Sequence, residues 1–168
     1  MAALRRMIAP DVEWSVQSFD ELAVRDLYRL LAARVDVFVV EQDCPYQDLD
    51  GHDDGAIHVS GWRNDGEPAA YARVLGPGVR FEEPSIGRVL TTSAVRGTGA
   101  GRELMRRSIA ATRAAFPGRA IRISAQRYLE RFYGELGFTI ESEPYLEDGI
   151  PHVEMLLARS AAAGTKPA

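Results

Sequence analysis

Val95-Arg96-Gly97-Thr98-Gly99-Ala100-Gly101-Arg102 lies between an apolar run, Ile86 to Thr92, and an amphipathic run, Glu103 to Phe116. The order reads as a strand that feeds a glycine-rich turn, which in turn starts a helix. Such a turn leaves the first backbone N–H groups of the helix unpaired, at the positive end of its dipole. Gly97, Gly99 and Gly101 remove the Cβ atoms that would hold an anion away. A phosphate or pyrophosphate is the natural ligand of that surface.

Spacing sorts the glycine patterns. A P-loop ends in Gly-Lys-Ser/Thr, whereas this turn ends in Gly101-Arg102-Glu103 and has neither the lysine nor the hydroxyl. A dinucleotide fingerprint needs G-x-G-x-x-G after a first strand. Glycines at 97, 99 and 101, past the middle of the chain, do not match it. What remains is Arg/Gln-x-x-Gly-x-Gly/Ala, met by Arg96, Gly99 and Gly101. This resembles the pyrophosphate-binding motif of the GNAT acyltransferases, which use acyl-coenzyme A. The alternative at this point is a glycine-rich turn with no ligand.

The chain has 168 residues, the length of one domain with a sizeable core over 11–159. Residues 1–10 and 160–168 read as a loose N-terminus and tail. A net charge of −4 argues against a nucleic-acid binder, which is usually basic. Any positive charge must then be local, and Arg96, Arg102, Arg106 and Arg107 gather around the glycine turn. For Arg106 and Arg107 a solvated helix face is an equal alternative. Cys44 is the single cysteine, so no internal disulfide forms, which fits a cytoplasmic location. No apolar run approaches the ~20 residues of a membrane span, and no secretory signal is expected.

Glu13 to Ser18 alternates as a first strand, and Asp20 suits the N-cap of a helix running to about Val39. Its apolar stripe is Leu22, Leu27, Leu30, Leu31, Val35 and Phe38. An acidic loop, Asp48 to Gly55, follows. Ile57 to Arg63 and Ala69 to Leu75 form a strand pair about Asn64-Asp65-Gly66, a strong hairpin signal. After the glycine turn the helix should bury Leu104, Met105, Ser108, Ile109, Ala111 and Ala115, and Pro117-Gly118 stops it. Ala120 to Ala125 reads as a strand, Tyr128 to Leu136 as a short helix ended by Gly137, and Phe138 to Ser142 and His152 to Ala158 as closing strands. The expected architecture is α+β: a mixed, mainly antiparallel sheet flanked by helices. This order is similar to the GNAT fold.

Tyr128-Leu129-Glu130-Arg131-Phe132-Tyr133-Gly134-Glu135-Leu136-Gly137-Phe138 looks like a second GNAT signature, in which an aromatic pair before Gly-Phe closes over the coenzyme. The resemblance implies acetyl-CoA as co-substrate. Gly97, Thr98, Gly99, Ala100, Gly101 and Arg102, with Arg96, would grip its pyrophosphate. The backbone of Val89, Leu90 and Thr91 would hold the pantetheine arm and donate to the thioester carbonyl. Phe132 and Tyr133 would line the arm, and Tyr133 would protonate the departing thiolate, since a phenol holds its proton at neutral pH. Gln126 stands where many members carry an Asn that contacts the coenzyme; it has the same amide with a longer reach. Glu41 and His152 are the two candidates for the base that deprotonates the amine. For each the simpler alternative is a surface or structural polar residue.

A narrower resemblance lies in Arg34-Val35-Asp36-Val37-Phe38-Val39-Val40-Glu41-Gln42-Asp43-Cys44-Pro45-Tyr46-Gln47-Asp48-Leu49-Asp50-Gly51 and in Tyr145-Leu146-Glu147-Asp148-Gly149-Ile150-Pro151-His152. Both look like the ElaA-type branch of GNAT proteins. Asp48, Asp50, His52, Asp53 and Asp54 miss the EF-hand spacing, so no metal is expected; they read as a solvated loop or an attractor for a cationic acceptor. Cys44 reads as a small residue packed under a loop rather than an acyl carrier.

The implied activity is transfer of an acetyl group from acetyl-CoA to a primary amine. A non-catalytic acyl-CoA-binding module on the same fold is the alternative. The expected partner is a small-molecule or peptide amine, with no nucleic acid and no membrane; a homodimer is the assembly considered. The resemblance, with the failed dinucleotide spacing, has a direct consequence: the protein should be retained on immobilised coenzyme A and not on immobilised NAD.

Overall fold

The strand β1 (Val12–Ser18) pairs antiparallel with β2 (Ile57–Arg63), which pairs with β3 (Pro68–Leu75), which pairs with β4 (Ser85–Thr91). This is a computed structural model, and it describes residues 11–161. The loose N-terminus and tail expected from the sequence fall outside these, apart from Ser160 and Ala161. Asn64-Asp65-Gly66 makes the β2–β3 turn as expected, with Gly66 at φ 79°.

Helix α2 (Ala100–Ala115) then crosses over to β5 (Ile121–Gln126), which lies parallel to β4. A parallel pair cannot be joined by a tight turn, and α2 supplies the crossover. After a short 3-10 turn come α3 (Glu130–Glu135), β6 (Thr139–Ile140), β7 (Tyr145–Glu147) and β8 (Ile150–Leu157). The sheet order is β1-β2-β3-β4-β5-β8-β6, and β7 also pairs with β8. All pairs are antiparallel except β4–β5, which is the expected mixed α+β sheet. No helix among the described residues is long and apolar enough to cross a membrane.

Alternation along β3 sorts the two faces. Ala70, Ala72 and Val74 pack with Leu104 and Met105 of α2. Tyr71 points to the other face, with Leu30, Val37 and Leu90. There the first helix, α1 (Val24–Arg34), covers the sheet and continues as a π-helical segment, Val35–Glu41.

Four details differ from the sequence reading. Asp20 does not cap α1. Ser18 and Glu21 instead close a turn, the Ser18 N–H and hydroxyl both donating to Glu21 Oε2 at 2.8 and 3.0 Å, and α1 starts after Ala23. The Ser-x-x-Glu turn takes up the residues around Asp20, and no side chain caps α1. The π segment adds a residue per turn, so Val37 is buried where Val35 was expected to be. In α2, Thr112 is buried and Ala115 is exposed. Thr112 Oγ1 donates to the Ser108 carbonyl at 2.7 Å, which satisfies its hydroxyl and leaves its methyl for the core. Finally β7 was not foreseen. Asp148-Gly149, at φ 49° and 78°, turns it onto β8. This is the Asp-Gly hairpin signal that the reading used at residues 65–66 and passed over here.

The acidic loop is the largest departure. Asp48 is only 3% exposed and Arg34 0%. Arg34 donates from Nε to Asp48 Oδ2 at 2.9 Å and from Nη1 to Asp53 Oδ1 at 2.6 Å. Arg73 bridges Asp50 and Asp53, and Arg88 holds Asp48. Three aspartates thus meet three arginines, so Asp48, Asp50 and Asp53 are not free to attract a cation, while His52 and Asp54 stay exposed as the solvated part of the loop. His58 completes the cluster. Its Nε2 lies 2.9 Å from the Asp53 carbonyl, which can only accept, so Nε2 carries the proton and Nδ1 accepts from Tyr71 at 2.8 Å.

Burial alone would raise the Asp50 and Asp53 carboxyls, but Arg73 at Asp50 and Arg34 at Asp53 outweigh it and hold both below the ordinary range. Burial pushes the His58 imidazole down and keeps it neutral. In each case the unfolded chain binds more protons as pH falls, so stability drops in the same direction. It should be highest above pH ~7, begin to fall near ~6.5 with His58 and fall more steeply below ~4 with the aspartates. Arg34→Met leaves buried carboxylates without their partner and should cost about 3–5 kcal/mol in urea denaturation at neutral pH.

Candidate active site

β4 and β5 are in register at a single pair, Ser85 with Arg122. Beyond it the strands part, and a cleft of about 580 Å³ opens between Gly87–Thr91 on one side and Ile123, Ser124 and Gln126 on the other. β4 also carries an extra residue against β3. Tyr71 faces Leu90, but Arg73 faces Gly87, three residues back for two on β3. The bulge falls at Arg88, whose φ is 52°. Val89 then packs on the α2 side and Leu90 on the α1 side, while their backbone borders the cleft.

The glycine turn meets one end of this cleft, where Arg96 and Gly101 border it. A 3-10 turn, Ser93–Val95, comes between β4 and the glycines, and Val95 is fully buried as its anchor. Gly97 and Gly99 take φ 77° and 91°. Gly99 is the N-cap of α2, and no side chain caps the helix, so its first N–H groups are free for a ligand. A Cβ at Gly97 or Gly99 would meet nothing within 4 Å, so the space in front of the turn is open, as an anion seat requires. Thr98 Oγ1 donates back to the Val95 carbonyl at 2.6 Å and braces the turn. Ala100 is buried against Ala69 and Val95. These residues fit a pyrophosphate on backbone N–H groups, with Arg96 at the rim.

The arginines divide. Arg96 donates to the Thr91 carbonyl at 3.0 Å and to Glu41 Oε2 at 2.7 Å, and it lines the cleft. Arg102 pairs with Glu135 of α3. Arg106 and Arg107 both turn to Glu103 and lie on the exposed face of α2, so they belong to a solvated helix face.

Tyr133 lies along the cleft, 6% exposed, with its ring edge-on to Phe132 and Phe138 at 5.1 and 6.0 Å. Burial pushes its hydroxyl well above the ordinary phenol range, so it stays protonated. Gln126 reaches across the cleft and donates to Gln42 Oε1 at 3.1 Å. Cys44 is buried, with Sγ 3.5 Å from the Asp148 carbonyl, packed under the loop as expected.

The two base candidates sit differently. Glu41 is exposed and tied to Arg96 at the phosphate end. His152 is 8% exposed and lines the cleft. Its Nδ1 lies 2.7 Å from the Ile150 carbonyl, which can only accept. The neutral ring therefore carries its proton on Nδ1 and a lone pair on Nε2. Glu147 Oε2 stands 3.9 Å from that nitrogen. Ser124 donates to Glu147 Oε2 at 2.7 Å, Arg80 donates to Oε1 at 2.6 Å, and Tyr145 stacks on the imidazole. Burial would raise Glu147, yet Ser124 and Arg80 hold it below the ordinary carboxylate range. The sequence reading missed Glu147, Ser124 and Arg80. The Asp148-Gly149 hairpin was the signal that could have placed Glu147 beside His152.

A splayed parallel pair, an uncapped glycine-led helix and a buried tyrosine along the opening define the acyl-CoA acyltransferase class of site. Residues 25–159 match the model of the acetyltransferase (GNAT) domain. Protein ElaA of Escherichia coli K12 is 43% identical over 146 residues, covering 86% of this chain and 95% of that protein. The crystal structure of an acyl-CoA N-acyltransferase from Pseudomonas aeruginosa superposes with a TM-score of 0.83 at 41% identity, covering 88% of this chain and all of that one (100%). The crystal structure of E. coli ElaA superposes at 0.81 with 42% identity, over 89% of this chain and 100% of that one. The chain belongs to the GNAT acetyltransferase family, in its ElaA-type branch.

Two glycine substitutions separate backbone conformation from space. Gly99→Ala forces an L-residue to φ 91° and should cost about 1–2 kcal/mol with a loss of coenzyme A affinity. A Cβ at Gly101 would lie 3.7 Å from Thr91 Cγ2 and 3.9 Å from Phe132 Cζ, ordinary contacts in a helical residue. Gly101→Ala should leave the melting temperature intact. Calorimetry on both variants checks the contrast.

Proposed function

We propose that this protein transfers an acetyl group from acetyl-CoA directly to a primary amine of a small molecule or peptide. The observation that carries this reading is the pairing of two opposite proton-handling groups on one cleft: Tyr133, held protonated by burial, and His152, with its Nε2 lone pair free. Direct transfer takes one proton from the amine and delivers one to the sulfur. The uncapped start of α2 and Arg96 hold the coenzyme phosphates, and the β4 backbone at Val89–Thr91 lies along the arm. His152 Nε2 accepts the proton that the amine sheds as its nitrogen bonds to the acetyl carbon. Tyr133 gives its proton to the sulfur as the carbon–sulfur bond breaks, and solvent resets both groups. Glu147 faces the imidazolium that forms and steadies its charge.

Glu41 fits this role less well, because its carboxylate is spent on Arg96. Of the acidic residues from Glu41 to Asp54 that would draw a cationic amine, Asp48, Asp50 and Asp53 are paired with arginines, while Asp43 and Asp54 stay exposed.

Thiol release over a panel of amines, with coenzyme binding followed separately, tests the reading. Tyr133→Phe and His152→Gln should each lower kcat by about 10²-fold or more while coenzyme A affinity stays within about twofold. Glu41→Gln should change the KM for acetyl-CoA more than kcat. A wild type that binds acetyl-CoA and acetylates no amine would instead favour a non-catalytic acyl-CoA-binding module.

A further inference from the structure

Among the described residues, three that are not glycine sit at positive φ: Asp43, Arg88 and Asp148. Aspartate tolerates this region because its short polar side chain bonds locally. Arginine has no such excuse, and its left-handed conformation is paid for by something outside its own dipeptide. The residue in question is the extra one in β4, the bulge that turns the strand's backbone toward the cleft.

The side chain of Arg88 shows what holds it. Nε donates to Asp48 Oδ1 at 2.7 Å and Nη2 to the Asp48 carbonyl at 3.0 Å, a two-point grip on one residue. Nη2 also reaches Asp50 Oδ2 at 3.4 Å, and the guanidinium lies over the Tyr46 ring at 5.5 Å. Asp48 is itself immobilised. Arg34 donates to its Oδ2 at 2.9 Å and to its carbonyl at 3.2 Å, and Tyr46 donates to Oδ1 at 2.9 Å. The Asp48 side chain is only 2% exposed. A rigid line thus runs from the end of α1, through the loop after it, to the bulge of β4.

We propose that Asp48 is a positioning residue for the coenzyme seat: by gripping Arg88 it holds the β4 bulge in the left-handed conformation that sets the backbone of Gly87–Thr91 along the cleft. This rests on the coenzyme-binding reading above for its consequence, and on the bulge alone for its structural content. It also gives the Arg34–Gly51 segment a role. The segment carries the anchor by which the first helix fixes the strand at the site. A simple charge-balancing role makes a different demand. It needs a cation near Asp48 and is indifferent to the backbone conformation at position 88.

The substitutions Arg88→Ala, Arg88→Asn and Arg88→Gly separate the two. All remove the guanidinium equally, but they differ in the cost of a left-handed backbone. Amide hydrogen exchange of residues 87–90 in the free protein and coenzyme A affinity by calorimetry are the two readouts. Wild type should bind tightest. Among the variants, Gly should bind about tenfold more tightly than Ala, with Asn between, and exchange at 87–90 should be slower in the same order. Asp48→Asn should weaken coenzyme A binding when Arg88 is present and have less than about twofold effect in the Arg88→Gly background, a coupling that a double-mutant cycle reads directly. Equal affinity and equal exchange in the three Arg88 variants would overturn the proposal. So would an Asp48→Asn effect of the same size in both backgrounds. Should wild type fail to bind coenzyme A at all, the proposed function falls, while the exchange order still decides the clamp.

Discussion

β4 and β5 run side by side in the same direction, joined by α2 and in register only at Ser85 and Arg122. A parallel pair needs such a crossover, and the crossover brings a helix N-terminus to the C-terminal end of the first strand. The cleft opens at that end, where the two strands part. Everything used in the site depends on this geometry. The free N–H groups of α2 close one end of the gap, the β4 backbone forms one wall, and α3 brings Phe132 and Tyr133 to the same opening. Had the pairing continued along both strands, the same residues would have made an ordinary buried sheet.

Holding such a gap open means that β4 must be supported beside it. The Arg34–Asp48–Arg88 line and the Arg73–Asp50–Asp53 pairs supply that support, with Arg73 and Arg88 themselves bordering the cleft. Burying Arg34, Asp48 and Arg73 is costly, and a set of this kind is weak evidence for added stability. Its geometry specifies, however, because each guanidinium offers a fixed fork that only one arrangement of carboxylates satisfies. The charges are better understood as fixing where α1, the loop and β4 stand relative to one another than as strengthening the core.

The glycine turn was legible because its signal is local. A positive φ at Gly97 and Gly99, an uncapped helix start and the apolar anchor at Val95 are properties of adjacent residues. The same holds for Gly137, which ends α3 at φ 98°, and for the hairpin at residues 64–66. Where two local signals competed, the reading faltered: Ser18-x-x-Glu21 displaced Asp20, and the satisfied hydroxyl of Thr112 displaced the apolar Ala115. The π segment could not be read from periodicity, since an inserted residue shifts the buried face without changing composition. The acidic loop was misread for a different reason. Aspartates in a row look solvated unless their partners are known, and these partners lie 14, 23 and 40 positions away.

The sequence by itself determined the donor side of this protein. Glycine positions and an amphipathic helix behind them specify an anion seat through short-range conformational rules, and with the aromatic pair before Gly137-Phe138 they carry the GNAT resemblance that implies acyl-CoA. Tertiary structure alone decided the rest. It paired the acidic segment with three arginines, tied Glu41 to Arg96 and set Glu147 beside His152 at the other end of the cleft. Those outcomes depend on which groups lose their water together, and burial is a property of the folded chain that no window of neighbouring residues contains.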